Sequence, residues 1–200
     1  MKRRHTVGFD FGENWVNYAG SKLTPELVAK ARSDFSHLMS YTGQLDGDFL
    51  DIGYGQGLSL LLAAEMGFRV TGLEINKKNL IALEKTQSLF QQMAVPTERL
   101  IIGSILDDET VNKLSAMKFS GYHVVHSWGV LHHTGNLHKA FNNTAKLVRP
   151  GGYLIVAIYN KHWTSPFWKR LKYIFCTSPE IVRKMLVIFF LPLLFIRFLT

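Results

Sequence analysis

The 200-residue sequence has one cysteine, Cys176. It therefore cannot build an internal disulfide framework or a multi-cysteine zinc site, and no metal-ligand set is expected. It also lacks a long apolar run. A membrane-spanning helix needs about 20 apolar residues, and the run from Met185 to Ile196 is shorter and is interrupted by Pro192. The basic start Met1-Lys2-Arg3-Arg4-His5 is followed by neither an apolar stretch nor a small-residue cleavage site. It does not read as a secretion signal, and a cytoplasmic location is expected. Internal repeats and low-complexity segments are absent as well.

Acidic residues are scarce, 15 against 23 lysines and arginines, for a net charge of +8. The imbalance sits at one end. From Lys161 onward, seven basic residues face the single acid Glu180, which leaves only +2 for residues 1–160. An almost neutral main body argues against a broad nucleic-acid footprint. What remains is a globular composition, 47% hydrophobic and 19% charged, and a length that fits a domain with a sizeable core.

Strand-like and helix-like segments alternate along the chain. Strands are predicted at 49–52, 69–74, 100–102, 122–126 and 153–158. Helices are predicted at 58–66, closed by Gly67, at 77–93, stopped by Val95-Pro96, and at 108–117 and 136–148. This βαβα order predicts an α/β fold, a doubly wound parallel sheet with helices on both faces. Residues 1–160 form the expected core, with 1–47 as an N-terminal helical cover. Residues 161–200 form a helical tail.

The most informative segment is Phe49–Gly57, FLDIGYGQG, followed by Glu74 at the end of the next predicted strand. Glycines at 53, 55 and 57 let backbone approach a ligand closely, and the helix starting near Leu58 points its N-terminal N–H groups at the loop. Glu74 is placed to accept both ribose hydroxyls. A dinucleotide fingerprint has its third glycine three positions after the second. Here that glycine arrives one residue early, and Leu58 stands in its place. Asp51 would repel a diphosphate and suits a ligand with a cationic amino group.

This loop resembles motif I of the class I S-adenosylmethionine (SAM) methyltransferases. His123–Asn136, HVVHSWGVLHHTGN, and Leu147–Asn160, LVRPGGYLIVAIYN, look like motif IV and the region after it in the same superfamily. They are similar to the group that includes ubiquinone- and menaquinone-biosynthesis methylases, and Phe9–Trp15, FDFGENW, resembles that group's lead segment. The resemblance implies a Rossmann-like, mainly parallel sheet with S-adenosylmethionine as cofactor. It places Asp51, Gly53, Tyr54, Gly55, Gln56 and Gly57 at the methionine end and Glu74 at the ribose. Ile75 would pack on the adenine, Ser104 and Ile105 would meet its edge, and the Ser127 carbonyl would meet the amino group. The plainer alternatives are a turn cap for Asp51 and ordinary core packing for Ile75.

For chemistry, His132 and His133 follow the fourth strand, where substrate loops emerge in such folds, and a histidine there can act as general base. Tyr159 and Asn160 could orient an acceptor hydroxyl. Trp128, Phe11 and Trp15 could wall the pocket, with plain packing as the alternative. The segment His126-Ser127-Trp128-Gly129 lacks the Pro-Pro element of exocyclic-amine methylases, and Cys176 lies too far downstream to serve as a ring-carbon nucleophile. The expected acceptor is a small molecule, methylated on oxygen ahead of carbon. A SAM-binding protein without turnover, membrane-attached or not, and a nicotinamide-dependent oxidoreductase are the alternatives.

After the fifth strand the superfamily usually adds an antiparallel strand pair. Here Ser165-Pro166 and Ser178-Pro179 read instead as N-cap serines with proline at the first helical position. Truncation of the chain is the favoured explanation. Residues 166–199 combine basic and apolar faces, suited to a peripheral membrane contact or an oligomer contact.

Overall fold

A computed structural model describes residues 11–44, 46–90, 94–160 and 163–198. The chain divides into two compact units, one spanning Asp10–Tyr159 and the other containing Asn160–Thr200.

In the first unit, β1 (Gly47–Ile52) is buried along its whole length, as a strand covered on both sheet faces must be. It pairs in parallel with β2 (Phe68–Glu74) on one side and β4 (Tyr122–Trp128) on the other. β3 (Leu100–Ile102) and β5 (Val148–Ala157) complete a five-stranded sheet of order β3-β2-β1-β4-β5. All four pairings are parallel. The chain thus reverses its direction of build between β1 and β4, and ligands of open α/β sheets bind at such a point.

Alternate side chains of the strands go to opposite faces. Phe49, Val70 and Val124 pack on one face with Phe35 and Met39 of α2 (Pro25–Ser40), Leu60–Ala63 of α3 (Leu58–Glu65) and Leu83 of α4 (Asn79–Gln87). Leu50, Ile52, Leu73 and Val125 pack on the other with Leu114 of α5 (Asp108–Met117) and Ala140 of α6 (Leu137–Lys146). Fully burying each such valine, leucine or isoleucine side chain stabilises the fold by about 1.5–3 kcal/mol. α1 (Phe11–Ser21) packs along α4, with Gly12 so close to Asn76 that a methyl group would collide with its side chain. The expected cover is thus two helices. Phe9, Asp10 and the side chain of Phe11 lie outside the described residues, as does the basic start.

Several boundaries differ from the sequence reading. The helix expected over 77–93 runs only from Asn79 to Gln87, because the chain then turns to bury Phe90. Residues 91–93 lie outside the described residues. β5 begins at Val148 rather than Tyr153: Val148 pairs with Tyr122 and Tyr153 with Val124, so the segment carrying Pro150-Gly151-Gly152 forms an irregular step within the strand. α7 is Ser165–Thr177 with Thr164, not Ser165, at the N-cap. Ser178 closes α7 at its C-terminus instead of capping α8 (Glu180–Phe198). Among the described residues no strand follows β5, and no helix is long and apolar enough to cross a membrane. Side chains beyond residue 190 lie outside the described residues.

Candidate functional site

The carboxyl ends of β1, β2 and β4 meet beneath the glycine loop. Register pairs Asp51 with Gly72 and Ile52 with Leu73, which sets Glu74 beside the loop that follows β1. Glu74 is buried, and its carboxylate ties the loop to β2: Oε2 accepts the N–H of Gly55 at 3.0 Å. Oε1 accepts those of Ile75 and Asn76 at 2.9 and 3.1 Å. A carboxylate offers roughly four acceptor positions, so three are already taken. Among the described residues, Glu74 thus spends most of its acceptor capacity on the loop and on the turn after β2.

The loop glycines are equally committed. Gly53 N–H donates to the Leu73 carbonyl and Gly57 N–H to that of Tyr54, both at 2.7 Å. With Gly55 N–H on Glu74, none of the three is left to cradle a phosphate. Gly57, at φ +79°, stands at the N-cap of α3, where an added methyl would strike Leu83. The indole of Trp15 lies over Gly55, its Nε1 3.0 Å from where a Cβ would stand, and Val130 fills the same space at Gly53, 2.5 Å away.

Tyr54 is buried with its ring against Gly72. Its hydroxyl is shielded and has no hydrogen-bond partner among the described residues, and the same holds for Gln56 Oε1. Burial, then the charges of Glu74 and Asp51, push the phenol pKa above its ordinary range. Two unsatisfied polar atoms in one loop are a costly arrangement for a core, and both belong to the predicted ligand segment.

Asp51 does not merely cap a turn. Its Oδ1 lies 2.8 Å from Nδ1 of His126 on β4. Ser127 is fully buried and donates its hydroxyl to the Ile52 carbonyl at 3.1 Å. Ile75, expected against the adenine, is 71% exposed. It is therefore not core. Ser104 Oγ accepts the N–H of Leu106 at 3.1 Å, and the Ile105 carbonyl is taken by Asn143 Nδ2 at 2.9 Å. The side chain of Ile105 is buried in the core, which leaves only its backbone groups for the expected adenine edge.

Past β4, a turn at Leu131–His133 carries both histidines beside the end of β5. The His132 ring lies 4.0 Å from that of His133 and 4.6 Å from that of Tyr159, centroid to centroid. Both ring nitrogens of His132 are shielded, with no hydrogen-bond partner among the described residues. Burial, then the neighbouring His133, pulls its pKa below the ordinary histidine value. Trp128 stacks on His126 at 6.0 Å and keeps 58% of its surface exposed. Asn160 is exposed.

The sequence reading missed His126. The signal was present: a titratable residue directly after the apolar pair Val124-Val125, on the strand that neighbours Asp51.

A family model described as a methyltransferase domain matches residues 24–184. Two ubiquinone biosynthesis O-methyltransferases are 27% identical to the chain. One, of Rickettsia conorii, matches 72% of this chain and 44% of its own length; the other, of Rickettsia akari, matches 74% and 56%. The chain thus spans about half the length of the curated relatives it matches. A crystal structure of a candidate S-adenosyl-L-methionine-dependent methyltransferase of Methanococcus maripaludis superposes with a TM-score of 0.57 at 18% identity, covering 92% of this chain and 84% of that one. That likeness concerns the fold.

Proposed function

The chain belongs to the methyltransferase domain family, and from that premise we propose that it transfers the methyl group of S-adenosylmethionine to a small-molecule acceptor, oxygen ahead of carbon. The observation that carries this reading is the internal use of the loop's glycine N–H groups beside two buried carboxylates. A diphosphate would find no glycine donors there and two negative charges. A cationic thioether nucleoside finds a carboxylate at each end. Family membership and the same geometry speak against the nicotinamide alternative. The names of the two Rickettsia relatives support a small acceptor methylated on oxygen.

Asp51, Tyr54, Gln56 and the glycines would hold the methionyl end, Glu74 the ribose, and Ile75 with Ser104 the adenine. When bound, S-adenosylmethionine supplies an electrophilic methyl group on a sulfonium. The chain's own work is to align the acceptor, exclude water and take its proton. His132 is the base this arrangement favours. Its lowered pKa keeps the ring neutral at neutral pH, and its nitrogens have no competing partner among the described residues. Because both nitrogens are covered, the surrounding side chains must shift for a hydroxyl to reach one.

Calorimetry tests the cofactor: S-adenosylmethionine and S-adenosylhomocysteine should bind and NAD should not. Labelled methyl transfer into phenols and into metabolite extracts tests the reaction. Binding of NAD alone overturns the reading. Tight cofactor binding without turnover on any extract favours a non-catalytic, SAM-binding chain.

A further inference from the structure

Asp51 and His126 are direct register partners on β1 and β4, and each side chain is 3% exposed. The imidazole lies in an aromatic box. Phe49 stacks on it at 5.8 Å with a 27° tilt, Trp128 at 6.0 Å with 12°, and Phe35 approaches edge-on at 6.2 Å. Three rings pack around it, and its Nδ1 lies 2.8 Å from Asp51 Oδ1.

The pair is held by this one hydrogen bond. An ionised carboxylate only accepts, so Nδ1 carries the proton. The imidazole N–H satisfies one carboxylate oxygen and leaves the other outside the bond. An apolar residue at position 126 would leave a buried carboxylate without that donor, which is costly. Oδ2 is the oxygen that this bond does not use.

We propose that His126 is a positioning residue, which pins Oδ1 of Asp51 so that Oδ2 and the charge are presented to the cationic amino group of the methyl donor. The inference rests on the SAM reading above and adds to it a residue that acts only through Asp51.

The test compares two ligands by calorimetry. S-adenosylhomocysteine carries the amino-acid end; 5′-methylthioadenosine carries the adenosine and thioether without it. His126→Phe keeps a ring in the box and removes the donor. It should weaken S-adenosylhomocysteine about tenfold or more and leave 5′-methylthioadenosine within about twofold. His126→Asn keeps a side-chain N–H near the Nδ1 position and should retain the parent's preference between the two ligands. In an Asp51→Asn background, His126→Phe should cost nothing further.

Equal loss of both ligands in His126→Phe, or no loss of either, overturns the proposal. So does loss of the preference in His126→Asn, which decides the matter if the phenylalanine variant does not fold. A full additional loss in the Asp51→Asn background overturns it too. A parent protein that binds neither ligand sinks the proposed function itself, a result distinct from all of these.

Discussion

Glu74 Oε2 accepts the N–H of Gly55 at 3.0 Å, so the carboxylate expected to hold a ribose is also the tie that holds the glycine loop to β2. Under the proposed function, one side chain thus serves both shape and recognition. Glu74→Ala leaves three backbone N–H groups without their acceptor, each costing about 1–3 kcal/mol if it stays dry. The expected outcome is a lower melting temperature together with at least about 100-fold weaker S-adenosylhomocysteine binding. Parent-like affinity in calorimetry would remove Glu74 from the site.

Gly57 cannot accept a side chain for two separate reasons: φ of +79° and the Leu83 side chain in the way. Gly57→Ala should destabilise by about 2–4 kcal/mol, backbone strain and overpacking together. Urea melts of Gly57→Ala, Leu83→Ala and the double variant check it. The double variant should lose less than the sum, because trimming Leu83 relieves the collision but not the strain.

Trp15 lies over Gly55, so anything entering the loop changes the indole's surroundings. Addition of S-adenosylhomocysteine should alter tryptophan fluorescence in the parent. The change should largely disappear in Trp15→Phe while binding by calorimetry persists. An undiminished signal from that variant would locate the reporter elsewhere.

Acid stability should fall in two stages. His123 Nδ1 accepts the N–H of Asp48 at 3.0 Å, and burial, then the Arg149 charge, lowers its pKa. Its contribution is present above the unfolded histidine value of about 6.5 and is lost as pH falls through the lower folded value. Asp48 follows. Burial would raise its carboxyl, but hydrogen bonds from Arg69 and Lys118 outweigh that and hold it at about 2. Its contribution is present above the unfolded value of about 3.9 and drains away towards pH 2. Arg69 is exposed to solvent, which screens the pair, so Asp48→Asn should cost about 1–2 kcal/mol at neutral pH. Its deficit against the parent should shrink only below about pH 4. Melts across pH decide it, and a deficit independent of pH would refute the assignment.

His132→Asn should lower kcat about 100-fold if the ring is the base, with KM for S-adenosylmethionine little changed. Because burial and His133 lower its pKa, the acid limb of the parent's kcat profile should lie below the ordinary histidine value, and the variant should lack it. A parent-like profile in the variant would hand the role to another group.

The strands and the glycine turn were legible because each rests on local chemistry. The four-residue core of β1, the start of α3 at Leu58 and the span of α5 follow from runs, caps and charges within a few residues. What was hidden depends on partners far along the chain. His126 meets Asp51 across 75 positions, and Asn143 takes the Ile105 carbonyl across 38. The premature end of α4 likewise reflects burial of Phe90, a tertiary demand that outweighs helix propensity. β5 started earlier than expected because pairing of Val148 with Tyr122 tolerates a step that glycines normally break.

That Gly53, Gly55 and Gly57 spend their amide hydrogens on Leu73, Glu74 and Tyr54 bears on how this chain could change its ligand. Converting it into a dinucleotide enzyme would take more than exchanging an acid for a basic residue. The turn would have to be lengthened and its main chain rewired, so gradual side-chain drift offers no easy route between the two chemistries.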